Sequence, residues 1–511
     1  WLVTQQNPDG SWGNLDGSGN PVPWENYAAK TGLALVKLQE RAYELAEDDG
    51  NIDGPFDDDY EYSDEVLLGW TYIFTSCTYS QPISVQDHTV LPGSGTIDDP
   101  DTRVNGYGVY FGPNQVNYST GICLMALGAS GTPNRLNDGG LDLDGDLSTD
   151  TFSEIAQDTV DWLAWAQSDD GPQEGGWGYS PCNDGNCWAD QSNSGYSVLG
   201  LAYGEQFSCT VPNWVRQELE VWIDNMQLAD GSSSYAGGGS GNLLRTSNLI
   251  FQMTFVGDAP STPRFQSALA YIEDHWKDMN ANPGWGYSMN PANYQAMYCL
   301  MKSLGYSNIE LIDIDGDGDR DDAWLNQEPP ATPAEDFSSV IVQQGIPWQD
   351  NYYTGDTVMG TLWALLTLEF VFPDITPPEG KCIESVNPHG NIIPGKNRGD
   401  NGKPKGINPD GFYQLLIEDN ADPDPDIFVG CRGCAGQYPG ILPFGPFKSG
   451  VVIKFTEAPG AIPSIKKIGS KTDQADSVEW HITLPSEPVV IAVDASGNKA
   501  FFPCFVPPPP K

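Results

Sequence analysis

A pattern that recurs six times between residues 1 and 370 constrains the fold of this 511-residue chain more than any other feature. Each copy has an amphipathic segment, a Gly-rich turn that carries Trp or Tyr, and an almost wholly apolar segment. The turns are Gln6 to Trp12, Asn105 to Gly108, Gly175 to Tyr179, Asp230 to Tyr235, Pro283 to Tyr287 and a degenerate one, Gln344 to Trp348.

The segment that follows each turn is predicted to be a helix. Asn, Ser, Thr or Asp, the residues that favour helix N-caps, stand where each helix should begin. The predicted starts are near Asn26, Asn117, Asn193, Thr246, Asn293 and Asp356.

The two kinds of helix predict a closed double ring. Segments such as 120–127 and 360–368 are apolar on most of their circumference and need cover on nearly all sides. Segments such as 159–167 are amphipathic and need cover on one face only. A linear solenoid would leave two ends that need caps, whereas a ring of about six helix pairs over residues 1–372 leaves none.

The charge of the chain is concentrated in the same region. Residues 1–375 carry a net charge of −44, and the remaining residues carry −2. Such an excess repels nucleic acids and anionic lipid surfaces, and divalent cations are its natural counter-ions. The chain has no run of about 18 apolar residues, so no membrane span is predicted.

Three acidic loops share one spacing that predicts calcium binding. Oxygen ligands at positions 1, 3, 5 and 9 of a tight loop suit Ca²⁺, although position 12 lacks the usual Glu and solvated acidic turns are the alternative. All three loops lie in insertions between helices, so bound ions would stabilise the fold. The predicted ligands are Asp49, Asn51, Asp53 and Asp57; Asp142, Asp144, Asp146 and Asp150; and Asp313, Asp315, Asp317, Asp319 and Asp321.

The ten cysteines indicate an oxidising compartment. Zinc would also use a Cys-x-x-Cys pair, but no second such pair exists and the four His are isolated. Cys123, Cys209 and Cys299 fall in or beside apolar helical stretches and are predicted to be buried thiols. The predicted disulfides are Cys182–Cys187, Cys431–Cys434 and Cys382–Cys504.

The C-terminal part of the chain is predicted to be a separate all-β domain. Residues 373–380 have the composition of a linker, and 507–511 form a stiff polyproline tail. Several short strands in 381–506, at about 412–418, 451–456, 478–484 and 489–494, favour a β-sandwich. Residues 492–498 resemble the last-strand signature of bacterial Ig-like modules.

The repeat resembles a known family. Gln6 and Trp12 match the QW motif of squalene and oxidosqualene cyclases, and residues 175–179 followed by 190–193 look like the prenyltransferase/squalene-oxidase repeat. The resemblance covers residues 1 to about 370 and implies the α/α toroid of the terpenoid cyclase and prenyltransferase superfamily. That superfamily also includes non-catalytic binding domains.

The chemistry of that superfamily is not reproduced in this sequence. The cyclase Asp-x-Asp-Asp acid matches only Asp319 to Asp322, in a loop and not at a helix start. The zinc ligands of protein prenyltransferases and the thioester motif of complement-type toroids are absent. Asp190 and Asp356 are best placed for an acid at the ring mouth, but each is more simply a helix cap. No catalytic residue is therefore predicted.

The leading hypothesis is a secreted, calcium-stabilised structural or binding protein, such as a cell-surface layer or filament subunit. Its partners would be further copies of itself or other cell-surface components. The rival is an extracellular enzyme, a glycan lyase or hydrolase or a cyclase-like enzyme, that uses the ring cavity. A third possibility is a binder of a small apolar ligand. Convergent carboxylates in the cavity would favour the enzyme, and an aromatic or plugged cavity would favour the others.

The first helix of the first copy is predicted to be incomplete. Trp1 and Leu2 align with Trp162 and Leu163 of the third copy. In that copy about eight helical residues come before Trp162. A helix of under two turns is marginal, and its loss would leave a notch beside the last repeat. We therefore expect the natural polypeptide to extend upstream of Trp1.

Overall fold

Helices build the N-terminal part of the chain and strands build the C-terminal part, in the computed structural model of the protein. Contacts divide the chain into two units, Trp1–Phe372 and Pro373–Lys511. The structure describes residues 1–15, 18, 22, 25–48, 52–83, 99–146, 148–169, 171–182, 188–279, 283–327, 329–349, 356–368, 379–384, 410–418, 426–431, 444–447, 452–457, 461–468, 479–485, 488–493 and 499–503. The predicted tail and residues 373–378 of the predicted linker lie outside these ranges.

Eleven α-helices make up most of the described N-terminal unit. They are α1 (Tyr27–Asp48), α2 (Ser63–Tyr72), α3 (Val116–Ala129), α4 (Phe152–Trp165), α5 (Gln191–Gln206), α6 (Asn213–Met226), α7 (Leu243–Phe255), α8 (Pro263–His275), α9 (Tyr294–Tyr306), α10 (Phe337–Gln344) and α11 (Thr357–Leu368). We call the odd-numbered ones core helices and the even-numbered ones flanking helices. The six core helices begin within three residues of the six predicted starts. None of the described helices is long and apolar enough to cross a bilayer.

The core helices are buried on nearly all sides, as their composition predicts. Every residue of α9 from Tyr294 to Gly305 is buried, and so is α3 from Ser119 to Leu127. Each core helix contacts the next one along the chain, and α11 contacts α1, so this series of contacts closes on itself. The flanking helices bury one face only, as α6 does with Trp222 while Glu220 stays exposed.

Glycine permits the closest approach between core helices. A Cβ atom at Gly121 of α3 would lie 2.2 Å from the carbonyl oxygen of Tyr196 on α5, and one at Gly200 would lie 2.4 Å from the carbonyl oxygen of Gly121. Real Cβ atoms do not come that close to backbone oxygens. The two backbones therefore touch only because both positions lack a side chain.

Hydrogen bonds tie the turns to the helix segments beside them. Four turn tryptophans donate their indole N–H to a carbonyl of the preceding segment at 2.7 to 3.0 Å: Trp12 to Leu2, Trp177 to Leu163, Trp285 to Trp276 and Trp348 to Ile341. Five backbone N–H groups in the turns, or in Phe111 just after one, donate to a hydroxyl early in the following core helix: Trp12 to Thr31, Phe111 to Thr120, Trp177 to Ser194, Ser233 to Thr246 and Trp348 to Thr361.

The turn glutamines connect successive flanking helices. Gln6, Gln167 and Gln227 each donate to a carbonyl of their own Gly turn. Each also donates to the first turn of the next flanking helix, at Glu65 of α2, Val215 of α6 and Arg264 of α8. Gln344 differs, because its amide turns back to the carbonyl of Met289 at 2.8 Å.

A 3-10 turn, Val3–Gln5, lies directly before the Gly turn of the first repeat. Two small antiparallel sheets also belong to the described N-terminal unit: β1 (Thr78–Pro82) pairs with β2 (Tyr107–Phe111), and β3 (Leu311–Ile312) with β4 (Asp322–Ala323). A π-helix, Ile73–Cys77, and a second 3-10 turn, Gly171–Gln173, complete it. Lys30 of α1, a buried cation, pairs with Glu25 and with Asp356 at the start of α11. This ion pair joins the two ends of the helical series.

Two sheets make up the described C-terminal unit. Their strands are β5 (Glu379–Glu384), β6 (Asp410–Glu418), β7 (Asp426–Cys431), β8 (Phe444–Phe447), β9 (Val452–Glu457), β10 (Ser464–Ile468), β11 (Glu479–Leu484), β12 (Pro488–Val493) and β13 (Lys499–Pro503). The first sheet has the order β10-β11-β9-β6-β5, and the second β13-β12-β7-β8. All strand pairs are antiparallel except β11 with β9.

The strand pattern of the sequence agrees with these elements. The four segments predicted as strands correspond to β6, β9, β11 and β12. The first strand begins at Glu379, inside the segment predicted as linker. Phe447 of one sheet meets Trp480 of the other with ring centroids 5.6 Å apart, so aromatic side chains link the two sheets.

The Gly121→Ala substitution is expected to destabilise the N-terminal unit by about 2 kcal/mol. The new methyl group forces α3 away from the carbonyl of Tyr196, and such overpacking costs more than the gain of about 1 kcal/mol in helix propensity. Gly204→Ala on α5 is the matched control, since its Cβ would meet only side-chain atoms, the nearest at 3.0 Å from Val160. Urea unfolding of both variants measures the difference, and equal midpoints would contradict the close-packing account.

Candidate functional site

The third acidic loop, between β3 and β4, gathers three carboxylates. Oxygen atoms of Asp313, Asp315 and Asp317 all lie within 4.8 Å of one another. Backbone N–H groups hold each carboxylate in place: Gly316 donates to Asp313 at 2.7 Å, Asp317 to Asp315 at 3.1 Å and Asp319 to Asp317 at 2.9 Å. The arrangement offers a cation oxygen ligands at positions 1, 3 and 5.

The second acidic loop has the same geometry. Asp142, Asp144 and Asp146 form the equivalent group within the same 4.8 Å limit. Gly145 donates to Asp142 at 2.7 Å, and Asp146 to Asp144 at 3.1 Å. Two segments 171 positions apart thus repeat the same hydrogen bonds at the same spacing, so the spacing encodes one local structure.

The position-9 carboxylates do not join these groups of three. Asp150 accepts from the N–H of Leu143 at 2.6 Å and is buried, which raises its pKa to about 6. In the third loop the same bond, to Ile314 at 2.9 Å, is accepted by Asp322 and not by the predicted Asp321. In each loop one carboxylate, Asp150 or Asp322, therefore accepts a hydrogen bond from the backbone N–H at position 2 and closes the loop.

The predicted ligands Asp319 and Asp321 lie outside the group of three on the exposed side of the third loop. Desolvation raises the pKa of Asp321 most. Repulsion from the neighbouring carboxylates raises it further, and Asp317 has a larger effect than Asp322. A nearby cation would relieve this repulsion.

The charge around the two loops differs. In the second loop Asp144 is nearly buried and lies 3.2 Å from the guanidinium of Arg103, which also pairs with Asp158 at 2.7 Å. In the third loop Arg320 pairs instead with Glu273 of α8, at 2.6 and 3.0 Å. The guanidinium of Arg103 therefore already compensates part of the negative charge of the second loop. A bound cation would stabilise the third loop more than the second.

The first acidic loop lies only partly within the described residues. Asp49 and Asn51 fall outside them. Asp57 accepts from the N–H groups of Asp59 at 2.9 Å and Asp53 at 2.8 Å, and these bonds lower its pKa. Its carboxylate organises the turn, and whether this loop binds an ion stays a prediction.

The candidate acids are structural in this arrangement. Asp190 accepts from the N–H groups of Ser192 and Asn193 and caps α5. Asp356 accepts from those of Val358 and Met359 at 2.9 and 3.1 Å and caps α11. Asp319 to Asp322 lie in the third acidic loop, away from the interior of the core helices.

Side chains of four core helices meet in what we call the central cluster, Glu40, Met125, Tyr203, Tyr298 and Lys302. The hydroxyl of Tyr203 donates to Glu40 at 3.0 Å and accepts from Lys302 at 2.7 Å. The hydroxyl of Tyr298 donates to the sulfur of Met125 at 3.4 Å. The cluster therefore joins α1, α3, α5 and α9 across the interior.

Burial in the interior disfavours the charged forms of Glu40 and Lys302. Burial raises the pKa of Glu40 and lowers that of Lys302, while their mutual attraction opposes both shifts. The second carboxylate oxygen of Glu40 has no hydrogen-bond partner among the described residues. Neither residue is among the predicted site residues, although a Lys and a Glu within apolar helices are a signal from which the pair could have been predicted.

A cavity of about 10 Å³ lies beside the central cluster. It is lined by aromatic, amide, thiol and amine groups, including Tyr196, Asn248, Tyr298, Cys299 and Lys302. None of its described lining residues is a carboxylate. The indole N–H of Trp363 on α11 also donates to the hydroxyl of Tyr196 on α5 at 3.2 Å, across the interior. These contacts bring aromatic and polar side chains of α5, α7, α9 and α11 together in the interior.

The cysteines divide into two groups. Cys77, Cys123, Cys209 and Cys299 are buried free thiols, which confirms the expectation for the last three. Cys182 is in a disulfide, and its predicted partner Cys187 lies outside the described residues. Cys434 and Cys504 also lie outside them, and the side chains of Cys382 and Cys431 are not described. The three pairings stay predictions.

Comparison with known proteins finds no matching family model and no matching curated protein.

Lys302→Met is expected to lower the free energy of unfolding by about 3 kcal/mol, because it leaves Glu40 as an uncompensated buried charge. Adding Glu40→Gln should recover part of this loss, since the neutral amide still accepts from Tyr203. Urea unfolding of the two single variants and the double variant gives the coupling energy. Additive losses, or a loss below about 1 kcal/mol for Lys302→Met, would contradict a charged pair.

Proposed function

We propose that this protein is a secreted, calcium-stabilised structural or binding protein, used as a subunit of a cell-surface layer or filament. In this proposal the N-terminal unit is an α/α toroid, which forms the body of the subunit. The C-terminal unit is an Ig-like β-sandwich, which connects it to further copies or to other surface components.

The small size of the cavity beside the central cluster carries this proposal. Pockets for small ligands generally measure about 300–1,000 Å³, whereas the cavity beside the central cluster measures about 10 Å³. A glycan or an isoprenoid substrate needs the larger space. The rival enzyme also needs two carboxylates at a defined separation, and the described lining of this cavity supplies none.

The toroid assignment is supported by the closed series of contacts from α1 to α11 and back to α1. The sandwich assignment is supported by the two sheets and by the ring contact between Phe447 and Trp480. Both assignments agree with the repeat and strand patterns of the sequence.

Calcium is the ion that best suits the two acidic loops. Each loop offers carboxylate oxygens and no nitrogen or sulfur ligand, a donor set typical of hard cations. The net charge of −46 favours extracellular divalent cations as counter-ions. The disulfide at Cys182 supports an oxidising, extracellular location.

Calcium is expected to raise the melting temperature by about 5 °C over that in EGTA, because two ions that bind only the folded state each add about 2.7 kcal/mol at a hundredfold excess over Kd. Titration calorimetry should find one ion fewer in the Asp315→Asn variant and no change in Glu220→Gln, an exposed control on α6. A melting temperature that EGTA leaves unmoved, with no heat of binding, would remove calcium from the proposal.

The full chain is expected to assemble into species larger than a monomer in calcium and to dissociate when EGTA is added. Sedimentation velocity at several concentrations measures this, with Asp315→Asn as the variant of reduced calcium affinity. A monomer under both conditions that cleaves a polysaccharide, or cyclises a polyprenyl substrate, would replace this proposal by the enzymatic alternative.

A further inference from the structure

Two exposed aromatic residues are neighbours on the surface of the N-terminal unit, close to the start of α5. Trp188 is 64% exposed, the largest value for an aromatic side chain in the described part of the chain, and Tyr179 is 43% exposed. Their backbones lie together, since a Cβ atom at Gly178 would be 2.0 Å from the carbonyl oxygen of Trp188. An indole that is mostly in water adds little to the packing of the unit, so its position needs another explanation.

The fifth repeat shows that the fold does not require the exposed tryptophan. In the third repeat the backbone N–H of Asp190, the cap of α5, donates to the carbonyl of Trp177 at 3.0 Å. In the fifth repeat Asn293, the cap of α9, donates in the same way to Trp285 at 3.1 Å. Two residues before this second cap stands Pro291, where the third repeat has the tryptophan. The same framework therefore forms without an exposed aromatic ring.

Tyr235 adds a third ring and polar groups to this surface. Its hydroxyl lies beside the hydroxyls of Tyr179 and Ser192. The guanidinium of Arg245 on α7 stacks over the ring of Tyr235, 5.0 Å from the centroid, and also donates to the carbonyl of Ser240 at 3.1 Å. Aromatic rings and hydroxyl groups from separate segments of the chain therefore converge here.

Gln173 joins the segments that carry Trp188 and Tyr235. Its side-chain amide accepts from the N–H of Ala189, the residue after Trp188, at 3.0 Å. The same amide donates to the carbonyl of Ala236, the residue after Tyr235, at 3.1 Å. One buried side chain thus holds both aromatic residues at the same place on the surface.

We call Tyr179, Trp188 and Tyr235 the aromatic platform. Backbone hydrogen bonds anchor it to two core helices. The carbonyl of Tyr179 accepts from the N–H of Val116 on α3 at 2.9 Å. The carbonyl of Tyr235 accepts from the N–H of Gln191 on α5 at 2.9 Å. A surface that is ordered before its ligand arrives loses little conformational entropy on binding.

We propose that the aromatic platform binds a neutral glycan built of β-linked pyranose rings. The two faces of such a ring carry C–H bonds, which pack against the faces of aromatic side chains. Its hydroxyl groups lie around the edge of the ring, where they can exchange hydrogen bonds with the hydroxyls of Tyr179 and Ser192. The platform is separate from the acidic loops, so the proposal depends neither on calcium nor on assembly.

Charge and size favour this ligand over others. Residues 1–375 carry a net charge of −44, which repels acidic polysaccharides and nucleic acids. Arg245, the cation beside the platform, already stacks on Tyr235. A protein partner generally covers about 800 Å² on each side around an apolar core. The exposed residues beside the platform are instead small and polar, as Ser180 and Ser240 are.

Cellohexaose and N-acetylchitohexaose are the probes, because their β-linked rings leave both C–H faces open. Titration calorimetry against the full chain should show that at least one of them binds with millimolar or tighter affinity. Trp188→Ala and Tyr179→Ala should each weaken binding about tenfold, through the loss of one stacked ring. Tyr179→Phe keeps the ring and should lose less. Val342→Ala, at a 69% exposed position on α10, is the control and should bind like the unchanged protein.

The melting temperature of Trp188→Ala should equal that of the unchanged protein, because the side chain is mostly in water; this separates a lost contact from a lost fold. The proposal is wrong if neither oligosaccharide binds at millimolar concentration, or if Trp188→Ala leaves the affinity unchanged. Tighter binding of an oligogalacturonate than of the neutral probes would contradict the charge argument. Binding of poly-L-proline to the platform, with no binding of either sugar, would make a protein the partner instead.

Discussion

The hydrogen bonds of the Gly-rich turns are the interactions on which the rest of the N-terminal unit depends. In one short segment a tryptophan indole anchors the preceding helix, a backbone N–H binds the following core helix, and a glutamine reaches the next flanking helix. These polar groups would otherwise be buried without partners, at a cost of about 1–3 kcal/mol each. The turns of the first and third repeats therefore each fix three elements at once, and the other four turns make one or two of these bonds. Together the turns arrange the core helices into a closed series.

That arrangement packs neighbouring core helices closely. Glycines at the contact of α3 and α5 let two backbones touch, and large aromatic side chains from several core helices cross the interior. A charged pair, Glu40 and Lys302, lies within this packing and is bridged by Tyr203. A buried pair of this kind contributes little net stability, but it penalises any packing that separates its members. The charged pair therefore favours one arrangement of the interior side chains over others.

The acidic residues that the sequence predicts as calcium ligands lie in loops on the outside of the helices. Their carboxylates accept from backbone N–H groups, so each loop keeps its shape through local bonds. The negative charge of the chain and its interior are therefore separate features. The carboxylates of the loops lie mostly at the surface, whereas the core helices form the buried interior.

Periodicity and turn chemistry in the sequence determined the six core helices, the N-caps of α1, α5, α9 and α11, the four matched strands and the local shape of the acidic loops, because each depends on residues close together in the chain. The N-caps of α3 and α7, Gln115 and Asn242, were not predicted. Only the tertiary structure decided which carboxylate closes each loop, so that Asp322 takes the place expected for Asp321. It alone brought Glu40, Tyr203 and Lys302 together, and it alone showed that the cavity beside them is small. Those outcomes depend on how side chains from distant helices share one space, and a pattern read along a single chain carries no information about that packing.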